Sequence, residues 1–518
     1  MKNSKNDYQT TDLARRQAKA RAMGGKDKIE KQQAKGRMSA RERIDSLLDK
    51  NSFDEQGLLA HSDLPEAADK SPADGKICGW GEIEKRPVFV SADDVTVMAG
   101  AGGRVGVGKQ FKYSKYAYDK GIPCIHLGDA GGARVPDIMG ATGMMSMVYP
   151  IRNAEPRDRR VPQIVVIMGE CFGGAAWTAS VSDIVIQVKG TAMCVGGPSI
   201  LEIATGEKAT TEELGGWELH AKTTGQVDLF ASDDKHALQL ARKALNYFPN
   251  SFRDLPPVSK STAAKKDIDI TTLVPSDPRA TYDMRKVLAH IADPDSVLEL
   301  RPLFDPSLIT ALARIDGHVV GILANNPKTM AGAMGPGACE KACAFIALCD
   351  SFHIPLLFLH DTPGFFVSKP AEQRAMPLRI MNFIEALHHS TVPRVSVIIR
   401  KSYGMAHCNM SGGNMGSDTV LAWPIADVSF MAPAVAVNVV YGRKLKTLDD
   451  PEKAREAYIA DLSRANAPWE AAGLNLIDKV INPADTRIEI IAALRRARGQ
   501  SGDAGRSKRN LANWPRMC

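Results

Sequence analysis

Four short turns carry residue types that could do chemistry with main-chain atoms alone. They are Asp129-Ala130-Gly131-Gly132-Ala133, Cys171-Phe172-Gly173-Gly174-Ala175, Asp361-Thr362-Pro363-Gly364-Phe365 and Tyr403-Gly404-Met405-Ala406-His407. Each follows a short apolar run that reads as a strand. Glycine reaches φ > 0 and leaves neighbouring peptide N–H groups unshielded, so an oxygen anion can approach them. A helix starting just after the turn adds free N–H donors and a partial positive charge. Two such turns converging on one oxygen form an oxyanion hole, which for an acyl thioester stabilises the enolate left when the α-proton departs. A single Gly-Gly turn serves equally as an ordinary tight turn; four in corresponding places favour the chemical reading.

Side chains offer less. His407 could act as an acid or a base, and Cys408 follows it, but neither sits in a nucleophile motif, and lining a pocket accounts for both. His388 and His389 read as surface residues of a helix. Neither GxxxxGK[ST] nor a strand followed by GxGxxG occurs, which excludes P-loop and dinucleotide-binding readings. The nine cysteines include no CxxC pair, against a zinc ribbon or a disulfide framework. Cys339 and Cys343 lie one helical turn apart without a cluster of further ligands, so no metal is expected.

The elements that must position the turns come in two copies. A shift of 232 residues lays Met98-Ala99-Gly100-Ala101 on Met330-Ala331-Gly332-Ala333, Ile122-Pro123 on Ile354-Pro355, Asp129 on Asp361 and Gly132 on Gly364. One inserted residue then follows Val161-Pro162 against Val392-Pro393, after which Val165 meets Val397 and Gly174 meets Ala406. The glycine-rich stretch 100–108 has its counterpart at 332–337 and so reads as a shared structural turn. Strands are predicted at 87–92, 123–127 and 163–168 in the first copy, and at 319–324, 355–359 and 395–399 in the second. Short β-branched runs alternating with helices predict parallel strands with right-handed crossovers, an α/β fold. The expected organisation is a helical amino-terminal segment (1–50), a first domain (51–255) and a second (256–518). The linker is expected at 249–277, and a final helix with a polar, basic tail after Asn482.

The chain has 518 residues, 44 % hydrophobic and 24 % charged, enough to build several cores and incompatible with global disorder. Residues 1–50 hold fourteen Lys/Arg and seven Asp/Glu, which is the whole of the net charge of +7. That segment reads as a mixed-charge helix, and with no zinc-finger or RNA-binding signature beside it no nucleic acid is expected. No membrane-length apolar run and no signal-peptide core occur, so a soluble cytoplasmic protein is expected.

At these turns the chain resembles the carboxyltransferase β subunit of biotin-dependent acyl-CoA carboxylases, the propionyl-CoA/acetyl-CoA carboxylase group. The resemblance begins at Gly36-Arg37-Met38-Ser39-Ala40-Arg41-Glu42-Arg43-Ile44 and runs through Asp129 to Arg134, Gly173-Gly174-Ala175, Thr205-Gly206-Glu207 and Glu213-Leu214-Gly215-Gly216. In the second half it takes in Pro363-Gly364-Phe365, Arg400-Lys401-Ser402-Tyr403-Gly404 and Ala422-Trp423-Pro424. It implies two duplicated crotonase-like (ClpP/crotonase) domains. It further implies that the first domain holds an acyl-CoA, with an oxyanion hole at Gly173-Gly174 aided by Gly131, Gly132 and Ala133. The second domain of a neighbouring subunit would hold carboxybiotin, with its hole at Met405-Ala406 and with Gly364, Phe365, His407 and Cys408 lining the pocket. Carboxybiotin would release CO2, the biotin enolate would take the α-proton, and the acyl enolate would capture CO2. A β hexamer and an α subunit with biotin carboxylase and biotin carrier domains are the implied partners, since this chain has no ATP-binding signature and no Met-Lys-Met biotin site.

The sequence departs from the family pattern mainly in the second copy. Pro-Gly-Phe-Leu-Pro-Gly is here Pro363-Gly364-Phe365-Phe366-Val367-Ser368, Tyr-Gly-Gly-Ala-Tyr is Tyr403-Gly404-Met405-Ala406-His407, and Met-Gly-Ala-Glu-Gly-Ala is Met431-Ala432-Pro433-Ala434-Val435-Ala436. Cys408 stands where the family often has an Asp tied to acyl-chain choice. These departures point to a reshaped pocket and a non-standard acyl group. They also keep two other readings open: a biotin-independent crotonase-type decarboxylase or hydrolase, and a non-catalytic assembly paralogue.

Overall fold

The computed structural model describes residues 2–145, 158–260, 269–498 and 508–516. The chain divides into two compact units, Met1–Asp254 and Leu255–Cys518.

The first unit is built on strands β1 (Asp54–Gln56), β2 (Lys76–Ile83), β3 (Arg86–Asp93), β4 (Cys124–Ala130), β5 (Gln163–Phe172), β6 (Ile184–Val188), β7 (Ala192–Cys194) and β8 (Leu229–Ala231). They run in the order β1-β2-β3-β4-β5-β6-β8, with β7 paired to the end of β5. The second unit repeats this with β9 (Leu298–Leu300), β10 (Leu308–Ile315), β11 (His318–Asn325), β12 (Leu356–Thr362), β13 (Arg394–Tyr403), β14 (Thr419–Ala422), β15 (Asp427–Ser429) and β16 (Lys479–Val480). From β3 onward and from β11 onward the pairing is parallel, as expected. The edges β1-β2-β3 and β9-β10-β11 are antiparallel, which the purely parallel expectation missed.

All seven residues of β4 and all seven of β12 are buried, the mark of parallel strands covered on both faces. The core of the second unit joins Ile322, Leu357, Val397 and Trp423. Trp423 Nε1 donates to Thr486 Oγ1 (2.9 Å) and so docks the expected last helix, Thr486–Arg498. Residues 499–507 and 517–518 of the basic tail, and 261–268 of the expected linker, lie outside the described residues.

The amino-terminal segment forms three helices rather than one: Lys2–Arg21, Lys26–Gln33 and Ala40–Leu47. Gly25 (φ 95°) and Gly36 (φ 73°) interrupt it. The third helix restarts on a capping box in which Ser39 Oγ accepts from the Glu42 amide and Glu42 accepts from the Ser39 amide.

The strand registers refine the duplication. Phe89 pairs with Cys124 and Gly321 with Leu356, a shift of 232, but Cys124 pairs with Gln163 and Leu356 with Arg394, a shift of 231 for β5 against β13. Gly173 therefore corresponds to Gly404, Gly174 to Met405 and Ala175 to Ala406. The expected matches of Val165 with Val397 and Gly174 with Ala406 are corrected by one residue. The change of length falls in the connection between β4 and β5, where an inserted residue disturbs no ladder.

Candidate active site

β4 and β5 are neighbours, with Ala130 opposite Cys171, so the turns that follow them emerge side by side. The Gly131 amide donates to Ala99 O (3.0 Å), the Gly102 amide to Gly132 O (2.8 Å) and the Arg134 amide to Gly102 O (2.8 Å). These bonds fix the first turn and leave the amides of Gly132 and Ala133 without a protein acceptor among the described residues. Gly132 needs its glycine, because its φ is +108°. Gly173, at φ 57° and ψ −117°, turns the chain from β5 into the helix Gly174–Ser180 while its own amide donates to Cys194 O (3.1 Å). The helix begins at Gly174, whose amide is one of the first-turn donors that no intrahelical carbonyl reaches. Gly132, Ala133, Gly173 and Gly174 all line one cavity of about 260 Å³. The structure thus brings four of the sequence-predicted residues together in the first unit, while the Gly131 amide is spent on holding the turn.

The turn is anchored from beneath. The Asp129 amide donates to Asp93 Oδ2 (3.1 Å), and the Asp129 carboxylate accepts from Arg43 Nη1 (2.9 Å) and Gln32 Nε2 (3.4 Å). Arg43 also donates to Asp234 (2.9 Å) and Met168 O (3.1 Å) and is buried, as are both carboxylates. A buried guanidinium with its hydrogens placed on two carboxylates and a carbonyl is a compensated charge. Sequence reasoning did not assign Arg43 a role, although it lies within the Gly36–Ile44 motif.

The inside of the cavity holds further residues that sequence reasoning missed. Lys76 pairs with Asp93, and Ser91, Gln110 and His126 form a second polar group. Val107, Ile138, Val165 and Trp177 are apolar walls. Burial pulls the His126 imidazole down to about 4, with Asp93 opposing and Lys76 assisting. A signal for this group existed in the repeat: at the corresponding positions the second copy has Leu308, Leu323, Ala342 and Phe358 in place of Lys76, Ser91, Gln110 and His126.

In the second unit Thr362 pairs with Ser402, which sets the turns after β12 and β13 side by side. Gly364 (φ 125°) and Gly404 (φ 58°) repeat the backbone of Gly132 and Gly173. The helix Met405–Asn409 opens with the amides of Met405 and Ala406, which have no acceptor among the described residues; the Met405 side chain is exposed and Ala406 is buried. The Phe365 amide has no protein acceptor among the described residues. His407 Nδ1 lies 2.9 Å from Ser402 Oγ, which also lies 2.9 Å from His360 Nδ1. Burial lowers the His407 imidazole from its ordinary range and lowers His360 further. Cys408 Sγ is half-buried and accepts from Asn414 Nδ2 (3.3 Å). His388 and His389 are exposed.

Among the described residues no group of three or more His, Cys, Asp or Glu could hold a metal ion, and no helix is long and apolar enough to cross a membrane. What the paired strand ends offer is main-chain amides uncommitted among the described residues, suited to holding an oxygen anion.

The carboxyl transferase domain family matches residues 31–511. The chain is 36 % identical over 488 residues to the methylmalonyl-CoA carboxyltransferase 12S subunit of Propionibacterium freudenreichii subsp. shermanii, covering 93 % of each chain. It is 36 % identical over 491 residues to the propionyl-CoA carboxylase carboxyltransferase subunit of Haloferax mediterranei, covering 93 % of this chain and 95 % of that one. It superposes on a transcarboxylase 12S crystal structure, a hexamer with methylmalonyl-CoA and methylmalonic acid bound, with a TM-score of 0.87 at 35 % identity and 94 % coverage of both chains. With two matching sheets, duplicated turns and this likeness along its length, the chain belongs to the carboxyl transferase domain family and is a carboxyltransferase subunit of the biotin-dependent acyl-CoA carboxylase group.

Proposed function

We propose that the first unit binds an acyl-CoA with its thioester oxygen on the amides of Gly132, Ala133 and Gly174, and that the second unit receives carboxybiotin at the Gly404–Met405–Ala406 turn. The observation that carries this reading is the cavity of about 260 Å³ bounded by Gly132, Ala133, Gly173 and Gly174, two of whose turns offer amides with no acceptor among the described residues. As the α-proton leaves, negative charge builds on the thioester oxygen, and amides already aimed at it need no rearrangement. The loss of one such donor typically raises a barrier by about 2.7 to 4 kcal/mol.

The residues of the second unit fit an oxygen-bearing ring carried on a partner. The amides of Phe365, Met405 and Ala406 have no acceptor among the described residues, and Gly404 takes the same backbone turn as Gly173. Carboxybiotin, when bound there, supplies the carboxyl group. Met405 keeps the peptide donor of Gly174 while adding a side chain beside it, and His407 is held by Ser402 at the base of the turn. We further propose that the chain works as a β hexamer with a separate α subunit bearing biotin carboxylase and biotin carrier domains; the hexameric 12S relative supports the first part.

Crystals grown with an acyl-CoA test the assignment. The thioester oxygen is expected within about 3 Å of the Gly174 amide. An acyl-CoA seated with its carbonyl away from both turns of the first unit would remove Gly132, Ala133 and Gly174 from the site.

A further inference from the structure

The two copies of the fold differ in chemistry inside this cavity. Lys76, Ser91, Gln110 and His126 are matched in the second unit by Leu308, Leu323, Ala342 and Phe358, all of them buried and packed. The fold therefore does not require polar residues there, and in the first unit they cluster on the cavity instead of filling it. Each is about nine-tenths buried or more, a placement that costs stability unless something is gained.

Their hydrogen bonds define what the cavity offers. Gln110 Nε2 donates to Ser91 Oγ (3.0 Å), which leaves the Ser91 hydroxyl hydrogen for His126 Nδ1 (2.8 Å). Gln110 Nε2 also stands 3.4 Å from Nδ1. With hydrogens arriving at Nδ1 from both neighbours, the neutral ring carries its own on Nε2. His126 Nε2 and Gln110 Oε1 have no protein partner among the described residues, so one donor and one acceptor remain at the floor. Asp93 and Lys76, the charged groups beside the ring, are paired with one another. The floor is polar but carries no net charge.

We propose that this cavity is the acyl subsite and takes an acyl group whose far end carries a hydroxyl, which accepts from His126 Nε2 and donates to Gln110 Oε1. The inference rests on the acyl-CoA reading of the first unit. A space of about 260 Å³ holds on the order of eight non-hydrogen atoms at the volume each water takes in the liquid. The thioester oxygen meets the amides at Gly132 and Gly174, the carbon chain meets Val107, Val165 and Trp177, and the distal oxygen accepts from His126 Nε2. An alkyl end leaves that N–H and the Gln110 carbonyl unpaired, and a carboxylate end is buried without a free counter-charge.

Calorimetric titration of the full-length chain with three acyl-CoAs of similar length tests this. The three are hydroxybutyryl-CoA with its hydroxyl on the terminal carbon, pentanoyl-CoA and succinyl-CoA. The hydroxyacyl compound is expected to bind at least about tenfold more tightly than pentanoyl-CoA, with succinyl-CoA weakest. In His126→Phe, which installs the residue of the second copy, that ratio is expected to fall to about one. Gln110→Leu, on a different element, is expected to lower the same ratio and serves if the first variant fails to fold. Equal affinities in the wild type, tighter succinyl binding, or a preference that survives both substitutions would overturn the inference and leave the acyl-CoA site standing. Failure of every acyl-CoA to bind would overturn that site as well.

Discussion

Gly169 and Arg400 occupy the same place in the two copies of the fold. Each lies on the strand beside a turn-bearing aspartate, Asp129 in one unit and Asp361 in the other. Arg400 Nε donates to Asp361 Oδ2 at 3.0 Å from within its own strand. A Cβ on Gly169 would stand 1.8 Å from Asp129 Oδ1, so the first unit keeps that position bare. Its guanidinium comes instead from Arg43, on the helix Ala40–Leu47. One electrostatic solution is thus reached from two different chain segments, and part of the basic amino-terminal region is structural.

Arg43→Met is expected to destabilise the first unit by about 3 to 5 kcal/mol, because Asp129 and Asp234 are left buried without their cation. Thermal unfolding and limited proteolysis measure this. Wild-type resistance in the variant would mean that the pair contributes little to the turn.

Gly174 separates two roles that a single substitution confuses. No atom lies within 4 Å of a Cβ built there, and the second copy carries Met405 at this position. Gly174→Ala keeps the amide and is expected to keep turnover within about tenfold, whereas Gly174→Pro removes the donor at a helix position that tolerates proline. The expected loss for the proline variant is about 100- to 1000-fold in kcat. Equal activities for the two variants would show that the amide does not touch the developing charge.

How much of this was legible in the residues differs by feature. The strands that carry the turns were readable because runs of β-branched and aromatic residues such as Val88-Phe89-Val90 and Val397-Ile398-Ile399 stand between clear breakers. The hairpin edge was half-signalled: Asp316-Gly317 is an ordinary two-residue hairpin turn, but its counterpart Glu84-Lys85 adopts the same left-handed backbone (φ 51° and 64°) with residues that do not announce it. The four glycine turns were readable because φ > 0 demands glycine at places such as Gly132. The polar floor was not, because Ser91 and His126 are single polar residues inside apolar strands, and only a position-by-position comparison of the repeats sets them against Leu323 and Phe358. Arg43 was hidden by distance, since 86 residues of chain separate it from Asp129.

His126 gives the pH dependence a sign. Its imidazole is held near 4 in the folded protein against an ordinary 6.5, so between those values the unfolded chain binds a proton that the folded chain refuses. Stability from this group is complete above about 6.5 and is lost as the pH falls toward 4, by on the order of 3 kcal/mol at most. The thermal midpoint of the wild type is expected to fall more steeply between pH 7 and 4.5 than that of His126→Phe. Parallel curves would mean that the ring titrates normally.

His407 can be displaced without touching it. A Cβ on Gly412 would lie 2.1 Å from His407 Nε2, so Gly412→Ala forces the ring away and breaks its bond to Ser402. The variant is expected to raise the KM for free biotin by about three- to tenfold, the worth of a lost hydrogen bond, with the acyl-CoA KM little changed. A rise confined to the acyl-CoA KM would place His407 on the other half of the reaction.

The most direct test of main-chain amides as the catalytic groups follows labelled carboxyl from free carboxybiotin to a panel of acyl-CoAs, using the assembled chain and its two Gly174 variants. Label on the α-carbon of at least one acyl-CoA, dependent on biotin, retained in Gly174→Ala and lost in Gly174→Pro, is the predicted result. An assembled protein that transfers no label to any acyl-CoA, or a proline variant that transfers it as fast as the wild type, would contradict the account.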